Sequence, residues 1–585
     1  MEAYRWRQLR EAADVIARVP RAAVELWRPQ AVFNHALLDL LERWPAVGAD
    51  LAGECDRLEA LAVASAAPPR SHRSGLGGRL VTLGKRAFVP ALELGLAPWV
   101  RRQREQNLER VRALRRREPS TARVHYQRFD ILLDRALPEI LRIDSYAAAY
   151  REWISRVEPT RHVPPAPQFK VTIVCEGSPS AEWLSALLKQ KGQWECIFTE
   201  GPVPRDARFR VGRADSATTE WVLWVSANSE LSPHALSTFS ACTDVDLAYA
   251  DEDRAGRVDP FFKPSFCSEL ARERDLLGGA VWVRRSAMKG ATPLEWALQL
   301  PRERICRVPA VLSHRTTPYV FGERVTREVP TGARVSIIVP FRDKPELLAQ
   351  LLDSAERFPP GVDHEWVFVD NASRRTPALP GRVLRDDGPF NWSRLNNLGA
   401  RHASGTHLLF LNNDVEAASR DWLRVLMEYA SLEDVGAVGA NLWYPDGTVQ
   451  HSGVALGVKG LAGHVFSRWR EGHTPFGTPL QTRTVSAVTG ACLLTPRALF
   501  ERLGGFDEQL PISGGDVDYC LRTGLRVLNV PHVRLIHHES LSRSGLALTK
   551  ANIDRERAAY WPFLPDRFYN PNLTTLFTHC GVDVS

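Results

Sequence analysis

The chain has 585 residues, of which 44% are hydrophobic and 24% are charged, with a formal charge of +7 at pH 7. This length exceeds what one hydrophobic core serves, so two or three domains are expected, and the composition excludes a largely disordered chain. No run approaches the ~18 apolar residues of a membrane span, the first residues lack the apolar core of a signal peptide, and the nine cysteines show no zinc or disulfide spacing. These features predict a cytoplasmic protein.

Residues 1–165 are predicted to be helical, with a linker near 66–78, because apolar residues recur at spacings of three and four. The segment 70–117 concentrates positive charge, with thirteen Arg or Lys against three Glu. Within it, residues 79–117 allow two interpretations: a helix that lies peripherally on the inner face of the cytoplasmic membrane, or a helix packed on the domains that follow. Nucleic-acid binding is not expected, because neither a recognition motif nor aromatic interleaving is present.

After this region, short β-branched strands alternate with amphipathic helices, and the pattern occurs twice, over 166–328 and over 329–585. Such alternation predicts α/β domains with mostly parallel sheets, which bind ligands beyond the carboxyl ends of their strands. In the second copy the predicted strands end at Pro340, Asp370 and Asp414. Both carboxylates are therefore expected to face one crevice.

The second copy contains, in order from 334 to 573, the motifs VSIIVPFRD, FVDNAS, GPFNWSRLNNLGARHASGTHLLFLNNDVE, GANLWYPDGTVQHSGVALG, VSAVTGACLLTPRALFERLGGFDE, GGDVDYCLR and IHHESLSRSG. On these motifs, the second copy resembles glycosyltransferase family 2, whose fold is GT-A. Two such domains in tandem are similar to bacterial rhamnosyltransferases and O-antigen enzymes. The resemblance implies two tandem Rossmann-like GT-A domains. It also implies inverting transfer of a sugar from a UDP-, dTDP- or GDP-sugar to a glycan, free or lipid-linked, in the assembly of bacterial surface polysaccharide.

The resemblance assigns a divalent cation, Mg²⁺ or Mn²⁺, to the end of the strand LLFLNNDVEA. The family's acidic motif is reduced here to Asn412, Asn413 and Asp414, so Asp414 supplies the carboxylate. Sugar transfer releases a diphosphate, and a bound cation can neutralise its developing charge. His537 and His538 resemble the family's additional metal ligand; a hydrogen bond to a neighbouring loop is the alternative for both.

The donor pocket is also predicted from the resemblance. Asp370 is similar to the aspartate that binds the nucleobase, and Arg394, in the first turn of a helix, is expected to face the diphosphate or to lie on an exposed helix face. The residues expected around the donor are Pro340, Arg342, Asp343, Asp370, Arg394, Asn397, Asn412 and Asn413.

Asp516 in SGGDVDYCLR matches the family's catalytic base, which takes the proton of the acceptor hydroxyl. Gly515 departs from the family, because a Glu or Asn side chain usually precedes the base, and Asp518 is the second candidate in the segment. The small residues of VTGACLL allow a sugar to approach the backbone closely. The residues expected to bind the acceptor are Thr489, Gly490, Ala491, Gly515 and Asp518.

The first copy also resembles the family, but its strand WVLWVSANSELSP carries no early carboxylate where the second copy has Asp414. We therefore predict that it is non-catalytic and interpret its acidic run Asp251, Glu252 and Asp253 as a remnant of a metal site or as structural. Two alternatives for the whole chain stay open. One is the same chemistry on a protein acceptor such as flagellin, and the other is a non-catalytic carbohydrate-binding or scaffold protein.

Overall fold

The computed structural model describes residues 144–319, 322, 324–458, 461–469, 475–538, 550–575, 578 and 580–583. The predicted linker near 66–78 and the basic segment 79–117 lie outside the described residues. Within the described ranges, no helix is long and apolar enough to cross a membrane.

The first domain follows helix α1 and matches the predicted alternation of strands and helices. Its elements in chain order are α1 Asp144–Arg156, β1 Val171–Glu176, α2 Ala181–Leu188, β2 Trp194–Phe198, β3 Phe209–Val211, β4 Trp221–Ser226, β5 Ser229–Leu231, α3 Ala235–Phe239, β6 Leu247–Arg254, β7 Val258–Phe261, α4 Ser268–Glu273, β8 Ala280–Arg284, α5 Pro293–Leu298 and β9 Ile305–Arg315.

The second domain repeats this plan with longer connections. Its elements are β10 Val335–Phe341, α6 Pro345–Arg357, β11 His364–Asp370, β12 Arg382–Arg385, α7 Trp392–Arg401, β13 His407–Leu411, β14 Val415–Ala417, α8 Trp422–Ala430, β15 Val435–Trp443, β16 Val449–His451, β17 Val454–Leu456, β18 Ala462–His464, β19 Arg483–Val485, β20 Cys492–Pro496, α9 Arg497–Arg502, α10 Gly515–Arg522, β21 Arg526–His537 and α11 Lys550–Tyr560.

Each domain is built on one large sheet, and the two sheets have the same strand order. The first runs β3-β2-β1-β4-β8-β6-β9-β5, and the second runs β12-β11-β10-β13-β20-β15-β21-β14. Every strand of the first order has a counterpart at the same place in the second. The tandem GT-A-like architecture predicted from the sequence is therefore confirmed as two α/β domains.

The sheets are mixed, which the prediction of mostly parallel strands did not anticipate in full. Strands β12, β11, β10 and β13 run parallel, but β20 is antiparallel to both β13 and β15. A parallel neighbour needs a long crossover connection, commonly a helix. The chain between β15 and β20 instead passes through the short strands β16 to β19, so β20 enters in the opposite direction.

Buried ion pairs join the first domain to the second through helix α4. Glu269 accepts a hydrogen bond at 2.6 Å from Arg526, which begins strand β21. Glu273 accepts the backbone N–H of Thr482 at 3.0 Å and lies 3.1 Å from the His532 ring. Burial raises the pKa of Glu273, but the hydrogen bonds from His532 and Thr482 outweigh it and hold that pKa below its usual value. The first domain therefore packs against the strand that carries His537.

The C-terminal segment also binds the first domain, at the carboxylate of Asp251. Asn570 and Asn572 both donate side-chain hydrogen bonds to this fully buried group, at 2.8 to 3.1 Å. Burial raises the pKa of Asp251 to about 6, although the charge of Arg307 and the amide hydrogen bonds oppose the shift. The predicted structural role of this acidic residue agrees with these contacts.

We expect the stability that Asp251 contributes to depend on pH. The pKa of this carboxyl group rises from 3.8 in the unfolded chain to about 6 in the folded protein. The group therefore contributes most to stability when the pH is below its pKa in the unfolded chain. This contribution is lost as pH rises from about 4 to 6 and amounts to about 3 kcal/mol. Apparent melting temperatures of the wild type and of Asp251→Asn, recorded from pH 4 to pH 7, measure it. The difference between the two should change below pH 6 and be flat above; a difference constant throughout would contradict the prediction.

Candidate active site

The candidate metal carboxylate lies in a tight turn between two strands. Strand β13 ends at Leu411, three residues earlier than the expected strand, because the polar residues Asn412 and Asn413 favour a turn. Asn412 donates its backbone N–H to the carbonyl of Ala491, at 3.2 Å. Asp414, which is 4% exposed, closes the turn before β14. The side-chain Nδ2 of Asn413 is buried and makes no hydrogen bond within the described ranges.

The structure brings His537 to Asp414 and places His538 elsewhere. Strand β14 pairs antiparallel with β21, so Val415 lies opposite His537. The Nε2 atom of His537 lies 3.1 Å from Asp414 Oδ1. His538, the residue after strand β21, lies 2.5 Å from Glu416 instead. Of the two predicted histidine ligands, only His537 therefore faces Asp414.

The side-chain atoms at this turn could serve as ligands of a divalent cation. Two ligands that bind one octahedral ion at right angles, at about 2.1 Å each, lie about 3 Å apart, close to the observed Asp414–His537 separation. In the described part of the chain, no group of three or more His, Cys, Asp or Glu is arranged to hold a metal. Among the described residues, Asp414 and His537 would supply two ligands of such a cation, and diphosphate oxygens and water could complete its coordination.

Strand β11 places Asp370 at the carboxyl edge of the sheet, beside β10 and opposite Phe341. Its carboxylate is fully buried and accepts hydrogen bonds from Ser373 N at 2.8 Å, from the Thr376 hydroxyl and from Arg385 at 2.9 Å. Burial raises the pKa of Asp370, but the hydrogen bonds from Ser373 and Thr376 and the charge of Arg385 outweigh it, so the pKa lies below its usual value.

The loop after β10 lies against the loop after β11. Asp343 has a positive φ of 50°. It donates its N–H to the Ser373 hydroxyl at 2.7 Å and accepts the N–H of Arg374 at 2.9 Å. Pro340 is half-buried near the end of strand β10, and Arg342 is exposed on the loop that follows. Asp343 therefore lies against the Asp370 turn, and the binding of the donor by Pro340, Arg342 and Asp343 stays a prediction.

Helix α7 carries two more of the residues that are predicted to bind the nucleotide-sugar donor, and these two residues differ in their contacts. Arg394 lies in the first turn and binds Asp386 at 2.9 Å and the carbonyl of Pro389 at 2.7 Å. Asn397 is buried, and its amide makes two hydrogen bonds of 2.9 Å with the backbone of Phe506. These contacts give Asn397 a structural role, which the sequence did not separate from donor binding.

The candidate base Asp516 lies in the first turn of helix α10 and contacts the predicted acceptor loop 489–491. Its Oδ2 accepts the N–H of Gly490 at 2.7 Å, and its Oδ1 accepts the N–H of Val517 at 2.9 Å. Each carboxylate oxygen keeps a second lone pair for a further donor. Asp518 is bound to Arg522 at 2.8 Å on the same helix. Asp516, and not Asp518, is thus the carboxylate that meets the acceptor loop.

A residue that sequence reasoning did not assign, His451, holds the first amide of the acceptor loop. Its Nε2 lies 3.5 Å from the N–H of Thr489. The ring is fully buried. Burial, together with nearby His464 and Arg483, holds the pKa of His451 well below its usual value, so the ring is neutral and can accept. Its neighbour Gln450 contacts the ring of His537 at 2.6 Å. In the sequence, the motif TVQHSG could have pointed to both His451 and Gln450.

Two glycines of the site are required by close packing. A Cβ on Gly490 would lie 2.2 Å from the ring of Trp392, and a Cβ on Gly515 would lie 2.6 Å from the hydroxyl of Ser393. That hydroxyl is hydrogen-bonded to the carbonyl of Leu510 at 2.8 Å. The departure from the family at Gly515 therefore goes with a helix α7 that packs too closely for a side chain.

The first domain differs from the second at the position of the Asp414–His537 pair. Strand register and one backbone hydrogen bond make Asn228 the counterpart of Asp414 and Arg315 the counterpart of His537. In the strand pairing, Ser229 lies opposite Arg315 in the first domain, as Val415 lies opposite His537 in the second. In the backbone hydrogen bonding, Thr316 N donates to Asn228 O, as His538 N donates to Asp414 O. Arg315 binds Asp275 at 2.8 Å and lies 3.4 Å from Glu252. A fixed positive charge neutralised by carboxylates thus replaces the paired ligands.

The residues 336–504 match the family described as Glycosyl transferase family 2. The second domain is therefore a glycosyltransferase family 2 domain, and the sequence-based assignment is confirmed.

Among individual proteins, the chain is similar to O-antigen biosynthesis protein RfbC of Myxococcus xanthus, with 32% identity over 96% of this chain and 57% of the relative. It is 26% identical to N-acetylglucosaminyl-diphospho-decaprenol L-rhamnosyltransferase of Mycobacterium tuberculosis, over 34% of this chain and 63% of that protein. The chain thus spans less than two thirds of either relative. A solved structure of GalNAc-T7 with UDP, GalNAc and Mn²⁺ aligns with a TM-score of 0.32 at 16% identity, over 40% of this chain and 49% of that one.

We expect Gly490→Ala to destabilise the protein by about 1–3 kcal/mol, because the added methyl group overlaps the buried Trp392 ring. The smaller ring in Trp392→Phe should relieve this overlap, so the double variant should lose less than the sum of the two single losses. Chemical denaturation of the four proteins measures the coupling. An additive result would show that the ring does not limit the size of residue 490.

Proposed function

We propose that the second domain transfers a sugar from a nucleotide-sugar to a glycan acceptor in the biosynthesis of a bacterial surface polysaccharide of the O-antigen type. The observation that carries the proposal is the Asp414–His537 pair at the carboxyl edge of a family 2 domain, with Asp516 of helix α10 hydrogen-bonded to the adjoining acceptor loop. The similarity to RfbC over 96% of the chain supports the setting, and the rhamnosyltransferase relative acts on a decaprenol-linked acceptor by its name.

In the proposed reaction Asp516 accepts the proton of an acceptor hydroxyl. The hydroxyl oxygen forms a bond to the anomeric carbon as the bond from that carbon to the diphosphate breaks, which inverts the configuration. Asp414 and His537 would hold a divalent cation, Mg²⁺ or Mn²⁺, which supplies neutralisation of the charge on the leaving diphosphate. Asp370 and the adjoining loops would hold the nucleobase. Gly490 orients the base through its N–H.

The first domain is proposed to be non-catalytic. Asn228 and Arg315 stand where the second domain has Asp414 and His537, and the guanidinium is already neutralised by Asp275. The first domain would support the second, because its helix α4 packs against strand β21. We further propose that the enzyme acts in the cytoplasm, at the inner face of the membrane if its acceptor is lipid-linked.

Calorimetric titration with UDP, dTDP and GDP, with and without Mn²⁺, tests the donor site. We expect one nucleotide to bind in a Mn²⁺-dependent way, and Asp414→Ala to weaken that binding at least about tenfold, which corresponds to 1.4 kcal/mol. Asp353→Ala, which removes an exposed carboxylate on helix α6, is the matched control and should bind like the wild type. If no nucleotide binds under any condition, the chain is a carbohydrate-binding or scaffold protein and the proposal fails.

The base is tested with Asp516→Asn, which keeps the size of the side chain but accepts no proton. We expect sugar transfer to fall by about 10²–10⁴ while nucleotide binding is retained. Asp518→Asn, on the same helix, should cost far less because Asp518 pairs with Arg522. Transfer of labelled sugar, from the nucleotide-sugar chosen by titration to lipid and protein fractions, is the measurement. Equal losses in both variants would remove Asp516 from its assigned role.

A further inference from the structure

We propose that Gln450 is a positioning residue of the metal site, which clamps His537 in the tautomer whose Nε2 lone pair faces Asp414. The proposal rests on the proposed function, because the metal belongs to it. Gln450 lies in strand β16, within the motif TVQHSG.

The side-chain amide of Gln450 is bound at both ends to one residue. Its Oε1 lies 2.6 Å from Nδ1 of the His537 ring, and its Nε2 lies 3.4 Å from the backbone carbonyl of His537. Both residues are buried, Gln450 at 2% exposure and His537 at 8%. Water therefore has little access to either hydrogen bond, and the amide acts as a two-point clamp.

The backbone carbonyl decides which way the amide points. A carbonyl only accepts hydrogen bonds, so it must face the NH₂ end of Gln450; the reversed amide would place two acceptors together. Oε1 then faces Nδ1, and because Oε1 is also only an acceptor, Nδ1 must carry the proton. In the neutral ring the other nitrogen, Nε2, is left with a lone pair.

This tautomer places two acceptors opposite each other. Nε2 lies 3.1 Å from Asp414 Oδ1, and the nearby amide of Asn412 is 3.4 Å from the same nitrogen. Two facing acceptors in a buried site repel each other unless a proton or a metal ion lies between them. A histidine that binds a metal through Nε2 needs its proton on Nδ1, which is the nitrogen that faces Gln450. A hydrogen bond from the second nitrogen of a ligating histidine fixes the ring and tunes its affinity for metal. Gln450 provides that hydrogen bond.

The test uses the full chain and measures Mn²⁺ affinity by calorimetry in the presence of UDP, dTDP or GDP. Gln450→Leu removes both ends of the clamp. Gln450→Glu keeps the acceptor for Nδ1 and loses the donor to the carbonyl. Gln190→Leu is the matched control, because Gln190 is also buried and donates to two carbonyls, but in the first domain. Melting temperatures are recorded for every variant.

We expect Gln450→Leu to weaken Mn²⁺ binding about 10- to 100-fold, Gln450→Glu to recover at least part of that loss, and Gln190→Leu to bind Mn²⁺ like the wild type. Mn²⁺ affinity unchanged in Gln450→Leu, or reduced equally in Gln190→Leu, overturns the inference. If Gln450→Leu does not fold, a folded Gln450→Glu that has lost Mn²⁺ binding overturns it as well. Failure of the wild type to bind any nucleotide with Mn²⁺ would instead refute the proposed function.

Discussion

The long strand β21 is the constraint on which the candidate site depends. It is parallel to β15 and antiparallel to both β14 and β19, so its register is fixed on several sides. A shift of one residue would turn every side chain to the opposite face of the sheet. A shift that moved His538 to the position of His537 would place His538 opposite Val415 and His537 opposite Glu416. The start of the same strand is held by Glu269 of the first domain, so a contact far along the strand from the site also fixes where it lies.

The two domains show that this architecture does not fix the side chains at the position of the candidate metal site. Their sheets share one strand order, and even the backbone hydrogen bond that closes the Asp414 turn has its counterpart in the first domain. The side chains at the matching positions differ: an arginine and an asparagine stand in place of a histidine and an aspartate. The arginine draws its charge balance from the protein's own carboxylates. The fold alone therefore does not define the activity, which depends on a few side chains at one sheet edge.

The acceptor loop 489–491 links the parts of the site to one another. Its three residues contact His451, Asp516 and Asn412 in turn, through two N–H groups and one carbonyl. Such contacts need the backbone to approach closely, and the indole of Trp392 leaves no room for a side chain on Gly490. Small residues at this loop thus serve packing as well as access. The candidate base Asp516, the loop 489–491 and the Asp414 turn are consequently one connected hydrogen-bonded unit.

The sequence by itself determined the class of fold, the repetition of the domain and the family, and it predicted Asp370, Asp414 and Asp516 as the carboxylates of the candidate site. It could do so because hydrophobic periodicity and residue order are local properties of the chain. Only the tertiary structure decided which of two adjacent histidines faces Asp414, which acid of α10 meets the acceptor loop, and that Asn397 braces Phe506. It also revealed Gln450 as the partner of His537. These outcomes depend on strand register and on contacts between residues far apart in sequence, which no local pattern encodes.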